Sequence, residues 1–140
     1  MTDKVVFHFD IDGGNFTSAG EASVRIKKLL REMGFSPDTI RRVSVAMYEG
    51  EINMVIHANG GNADVEVYED RIEIILADRG PGIPDIELAM QEGYSTAPDN
   101  IRSLGFGAGM GLPNMKRYTD DMRIESALGV GTTIYMTVRT

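Results

Sequence analysis

Apolar positions recur along this chain in two rhythms, one of period two and one of helical spacing, and together they predict its elements. Val5 to Asp10 alternates and is rich in β-formers, so a short strand is expected there before Asp12-Gly13-Gly14. Ala22, Ile26, Leu29, Leu30 and Met33 then mark the stripe of a helix from about Thr17 to Met33, with Gly34 at the expected C-cap. Ser36-Pro37-Asp38 places a hydroxyl cap, a proline and an acid where a second helix should begin. Its stripe, Val45, Tyr48, Ile52, Val55 and Ile56, carries it to about His57, with Asn59-Gly60-Gly61 as its end.

Two strand patterns follow, Ala63 to Tyr68 and Arg71 to Ala77, and the link Glu69-Asp70 between them implies an antiparallel hairpin. In the second, Ile72, Ile74 and Leu76 share one side. A short amphipathic piece, Asp85 to Gln91, leads into Gly93 to Leu104, which has no sustained period and reads as a mobile loop or lid, about 84–108 in all. Gly109 to Tyr118 reads as a helix opening directly from glycines; Asp121 to Ser126 and Thr132 to Arg139 are closing strands joined through Gly129-Val130-Gly131. The expected fold is an α+β two-layer sandwich, helices on one face of a mainly antiparallel sheet, in a single domain spanning 1–140.

Composition narrows the class. A length of 140 residues suffices for one good core, and 42% hydrophobic with 25% charged content is ordinary for a soluble globular protein. No apolar run approaches the roughly 20 residues of a membrane span, and no secretory signal opens the chain, so a cytoplasmic location is expected. The absence of cysteine excludes a disulfide frame and thiolate metal sites. A net charge of -7 argues against a nucleic-acid surface. The basic pairs Lys27-Lys28, Arg41-Arg42 and Lys116-Arg117 fall in helix patterns and read as solvated faces.

Three stretches carry candidate chemistry. On the second helix Glu49 and Asn53 are four apart and share a face, with His57 one turn further. A carboxylate, a carboxamide and an imidazole stacked this way are awkward in a core, but they suit a site that activates a nucleophile and holds a hard cation through oxygen. His57 alone reads as a hydrogen-bonded core or cap histidine rather than a catalyst, and Glu51 as a solvated side chain. Asp78-Arg79-Gly80-Pro81-Gly82-Ile83 ends a strand: either an ordinary turn, or an acid that accepts from an exocyclic amine while glycines admit a ring. Gly105, Gly107, Gly109 and Gly111 precede a helix, as a plain hinge or as a loop for close phosphate approach. They match neither the dinucleotide fingerprint nor the common phosphate loop. Met47, Met54, Met110 and Met115 read as core filler.

In this order and spacing the three stretches resemble the GHKL family of ATPases and kinases, which includes histidine kinases, type II topoisomerase subunits and a heat-shock chaperone. Glu49-x-x-x-Asn53 is similar to the family's N box, and Asp78-x-Gly80-x-Gly82-Ile83 to its G1 box. Gly109-Met110-Gly111-Leu112 is similar to its G2 box, and Gly129-x-Gly131-Thr132 to its final Gly-Thr element. A complete histidine kinase or topoisomerase, with a phosphoacceptor-histidine helix ahead of these motifs or a transducer domain after them, is not expected. A stand-alone domain beginning with a strand and a helix, with Glu49, Asn53 and then His57 in its N box, is similar to the bacterial anti-sigma-factor and switch-protein serine kinases. The run Gly105 to Gly109 is richer in glycine than expected there, and Pro113-Asn114 follows Leu112.

The resemblance implies ATP and Mg²⁺ as cofactors and a role for each matched residue. Asn53 would ligate Mg²⁺, Glu49 would act as general base on a serine hydroxyl or orient a water, and His57 would stand beside the nucleotide. Asp78 would read the adenine amine with Thr132 assisting through a water; Gly80, Gly82 and Ile83 would make room for the base. Gly105, Gly107, Gly109, Met110, Gly111 and Leu112 would wrap the phosphates, and Arg102 would offset charge or touch the partner. It further implies a small antagonist protein as phosphoacceptor, a regulated protein such as a sigma factor, and a homodimer. A non-phosphorylating ATP switch and an ATPase subunit of a larger assembly are the alternatives.

Overall fold

A computed structural model describes residues 4–14, 19–58, 60–83, 86, 90 and 111–140. Alternation builds the strands β1 (Val5–Asp12), β2 (Gly60–Val67), β3 (Arg71–Asp78), β4 (Asp121–Ala127) and β5 (Gly131–Arg139). Every pairing is antiparallel and the spatial order is β1-β2-β3-β5-β4. The Glu69-Asp70 link is a two-residue turn, closed by Tyr68 N donating to Arg71 O at 2.8 Å. Register puts Val65, Ile74 and Met136 side by side on one face, with Ala63, Leu76 and Ile134 in the next row. Helices α1 (Glu21–Glu32), α2 (Pro37–His57) and α3 (Gly111–Arg117) cover that face. The fold is therefore the expected two-layer α+β sandwich.

Ser36 Oγ accepts from Thr39 N at 3.2 Å and starts α2, with Pro37 supplying its fixed φ in the first turn. The helix is buried on much of its circumference, with Val43, Ala46 and Met47 fully covered. Burying a side chain the size of Val43 or Met47 is worth about 1.5–3 kcal/mol, which fixes the face that α2 turns to the sheet.

Several boundaries and faces differ from the sequence reading. α1 begins at Glu21, while the expected start at Thr17 lies outside the described residues: Ala19 and Gly20 form a turn, and Gly20 takes φ 99°, through which α1 does not continue. Gly60 and Gly61 open β2 by pairing with Asp12 and Ile11, rather than simply terminating α2. The buried stripe of α2 runs through Val43, Met47 and Met54, while Tyr48 is 41% exposed, its ring lying over Gly20. The expected lid lies outside the described residues except for 86 and 90.

Glu51 is the clearest correction. It is 3% exposed and receives Gly20 N at 2.9 Å, Ala22 N at 3.1 Å and Ser23 N at 3.1 Å. Gly20 has no side chain to cap α1, so the carboxylate of the neighbouring helix does so, opposite the positive helix end.

Candidate functional site

α2, the end of β3, the start of β5 and α3 converge at one end of the sandwich. Gly50 marks the closest approach, since a Cβ there would strike Leu76 of β3 and stand 3.5 Å from the Met115 sulfur of α3. Glu49 and Asn53, one turn apart and half-buried, both meet α3. Asn114 Nδ2 donates to Glu49 Oε1 at 3.2 Å. A Cβ on Gly111 would lie 3.0 Å from both Nδ2 and Oδ1 of Asn53, so only glycine lets α3 pass at this distance without moving the carboxamide.

Asp78 ends β3 as the hub of a second cluster. Its Oδ1 accepts from Gly80 N and from Thr132 N, each at 2.9 Å, so the carboxylate joins its own turn to β5. Thr132 is 5% exposed and its hydroxyl lies 3.0 Å from Ser126 Oγ, which in turn accepts from Ile83 N at 2.7 Å. Gly82 adopts φ 86°, and a Cβ on it would approach Ala127 O at 2.7 Å; the turn is further tied by Gly129 N donating to Pro81 O at 2.9 Å. Gly80 is buried, Ile83 packs half-buried against the core, and Leu112 is 8% exposed.

Glu49, Asn53, Asp78, Gly80, Gly82, Ile83, Gly111, Leu112 and Thr132 thus gather on the elements that converge here. Arg102, Gly105, Gly107, Gly109 and Met110 lie outside the described residues, as does the side chain of His57. Asn114 and Ser126 belong to none of the matched motifs. Ser126 carried a signal, because alternation puts it on the inner face with Met122 and Ile124. Asn114 carried a weaker one, a polar residue between Leu112 and Met115 of a short helix.

Among the described residues no group of three His, Cys, Asp or Glu side chains is placed to hold a metal ion. Mg²⁺ bound with a nucleotide is the ion that the sequence resemblance implies. Such an ion keeps several waters, takes oxygen from phosphates, and asks one or two oxygen ligands of the protein. The carboxamide oxygen of Asn53 is of the right kind. Also among the described residues, no helix is long and apolar enough to cross a membrane.

Residues 15–138 match the family described as Histidine kinase-like ATPase domain. The chain is 35% identical over 112 residues to Serine/threonine-protein kinase RsbT of Bacillus subtilis (strain 168), covering 77% of this chain and 78% of that protein. It is 31% identical over 122 residues to Anti-sigma F factor of Priestia megaterium, with 82% and 80% covered. Among solved structures, the RsbU and RsbW domains of Rv1364c from Mycobacterium tuberculosis superpose with TM-score 0.67 at 18% identity, over 96% of this chain and 32% of that one. Mycobacterial sensor histidine kinase MprB gives 0.54 at 19%, over 96% and 97%. At such identities the structural likenesses speak for the fold.

Proposed function

The chain belongs to the histidine kinase-like ATPase (GHKL) family and is related to the anti-sigma-factor kinases, and on that premise we propose that it is an ATP- and Mg²⁺-dependent protein serine/threonine kinase. Its substrate is a small antagonist protein, and it also binds a regulated protein of the sigma-factor kind. The whole chain acts as one cytoplasmic ATP-binding domain, with 84–108 as its lid, and pairs as a homodimer. The observation that carries this reading is the placement of Glu49 and Asn53, one turn apart on α2 and both against α3. A module that only bound nucleotide would have no use for a base at that point.

Asn53 is assigned to the metal ion, which supplies charge neutralisation at the phosphates when bound. Glu49 takes the proton of the acceptor hydroxyl as its oxygen bonds to the γ-phosphorus of ATP and the bond to the leaving ADP breaks, which requires the carboxylate to stand within hydrogen-bond reach of that hydroxyl. Asp78 has its Oδ1 occupied by Gly80 N and Thr132 N, leaving Oδ2 to accept from the adenine amine. Ser126 and Thr132 fix the turn that receives the ring. Chemistry of this kind is mostly positioning and electrostatics, so few side chains suffice. Incubation of the chain with γ-labelled ATP and the proteins encoded beside it tests the reading. Label on a serine or threonine of one of them is expected; Mg-ATP binding with no transfer would leave a switch module instead.

A further inference from the structure

Two contacts between α2 and α3 run in opposite chain directions: Gly111 lies against Asn53, and Asn114 against Glu49. Residues three apart on one helix therefore meet residues four apart on the other, so a single face of α3 touches both candidate groups. We propose that Asn114 is a positioning residue for Glu49, aiming the base from the helix that also borders Asn53; the proposal rests on the reading of Glu49 above.

The orientation of the Asn114 carboxamide follows from its second partner. Arg117 Nη1 donates to Asn114 Oδ1 at 3.4 Å, and a guanidinium has no acceptor, so the carbonyl must face Arg117 and the NH₂ must face Glu49. Asn114 is itself half-buried between Leu112 and Met115, which seat α3 in the core. With Oε1 of Glu49 accepting from Asn114, the carboxylate is oriented from α3, and Oε2 is the oxygen left for the acceptor hydroxyl. A base oriented before the substrate arrives lowers the barrier of the chemical step without tightening ATP binding. The effect belongs in kcat, not in KM for ATP.

The test is phosphotransfer from Mg-ATP to the proteins encoded beside the chain, offered as acceptors, by wild type, Glu49→Ala, Asn114→Ala, Asn114→Asp and Asn114→Gln, with ATP affinity and thermal midpoint recorded for each. Loss of one hydrogen bond to a charged group predicts a kcat about tenfold or more lower in Asn114→Ala, with KM and ATP affinity within about twofold of wild type. Asn114→Asp sets a carboxylate against Glu49 and is expected near the level of Glu49→Ala, while Asn114→Gln, which keeps the donor, recovers part of the loss. Wild-type kcat in Asn114→Ala beside an inactive Glu49→Ala overturns the proposal and leaves the kinase reading standing. Parallel falls in kcat, affinity and thermal midpoint across all three Asn114 variants also overturn it, since they mark a plain helix clip. Wild-type turnover in Glu49→Ala, or none in wild type, removes the reading and the proposal together.

Discussion

Gly111 and Asn53 are in contact across two helices, at a separation where even a methyl group on the glycine would stand 3.0 Å from the carboxamide. Alanine has a higher helix propensity than glycine by about 1 kcal/mol, so Gly111→Ala is expected to leave the fold as stable as before. The carboxamide must shift by a few tenths of an ångström to admit the methyl. Mg²⁺-dependent ATP affinity should fall about three- to tenfold in consequence, since metal ligation demands near-ideal octahedral geometry. Calorimetry with and without Mg²⁺ checks this; unchanged affinity beside an unchanged thermal midpoint would free Asn53 of the role.

Glu51 predicts a stability effect of the opposite kind. Glu51→Ala strands three buried N–H groups at the start of α1 and removes the charge that faces the helix end. A loss of about 3 kcal/mol is expected, read as a thermal midpoint lower by about 10 °C in a chain of this size. Glu51→Gln keeps one acceptor oxygen and should lose less. A midpoint within a degree or two of wild type for the alanine variant would contradict the cap.

How much of this was legible in the residues differs by element. The hairpin at Glu69-Asp70, the start of α2 at Ser36-Pro37 and the inner row Ile72, Ile74 and Leu76 were readable because each rests on local chemistry: a two-residue turn, an N-cap, a period of two. Glu51 was not, although it lies on the same side of α2 as Val55, because a charged residue at a helix surface reads as solvated until the uncapped end of another helix is brought beside it. The same holds for the face of α2. Val45 and Tyr48 fit the apolar spacing, yet α2 is covered by the sheet, α1 and α3 together, and the deepest positions are Val43, Ala46 and Met47. At the candidate site, Glu49, Asn53, Asp78 and Thr132 were singled out by spacing and family likeness, and the fold sets them on converging elements. Asn114 has its partner 65 residues away, which no local pattern carries, while Ser126 showed only through the alternation of β4 and its place opposite Thr132 across the hairpin.

His8 on β1 sits between Asp64, 2.5 Å from Nδ1, and Asp10, 3.1 Å from Nε2, and the hydrogen bond to Asp64 first, then that to Asp10, raises its pKa above 6.5. A raised folded pKa contributes stability that is fully present below the unfolded value and is lost as pH rises through the folded one. A ring titration by NMR should therefore place His8 above 6.5 in the wild type and lower in Asp64→Asn. Equal midpoints in the two proteins would show that Asp64 does not hold the proton.

Asp120 works at the acid end. Arg139 N donates to its Oδ2 at 2.7 Å and Arg42 Nη2 does so at 2.9 Å, and these, the backbone bond first, hold its pKa below 3.8. A depressed folded pKa contributes stability present above the unfolded value and lost as pH falls through the folded one. Asp120→Asn should be less stable than wild type at neutral pH, with the difference shrinking below pH 3.8. Parallel stability curves across that range would contradict the assignment. Arg42 also donates to Tyr118 O at 3.2 Å, so this network holds the segment that follows α3.

The division of labour between Glu49 and Asn53 is the central claim, and ATP titration by calorimetry, with and without Mg²⁺, on wild type, Glu49→Ala and Asn53→Ala tests it most directly. Wild type and Glu49→Ala should bind ATP alike with Mg²⁺ present, while Asn53→Ala loses the Mg²⁺-dependent part, about tenfold or more in affinity. Equal ATP affinity in wild type and Asn53→Ala, or no binding by wild type at all, would contradict it.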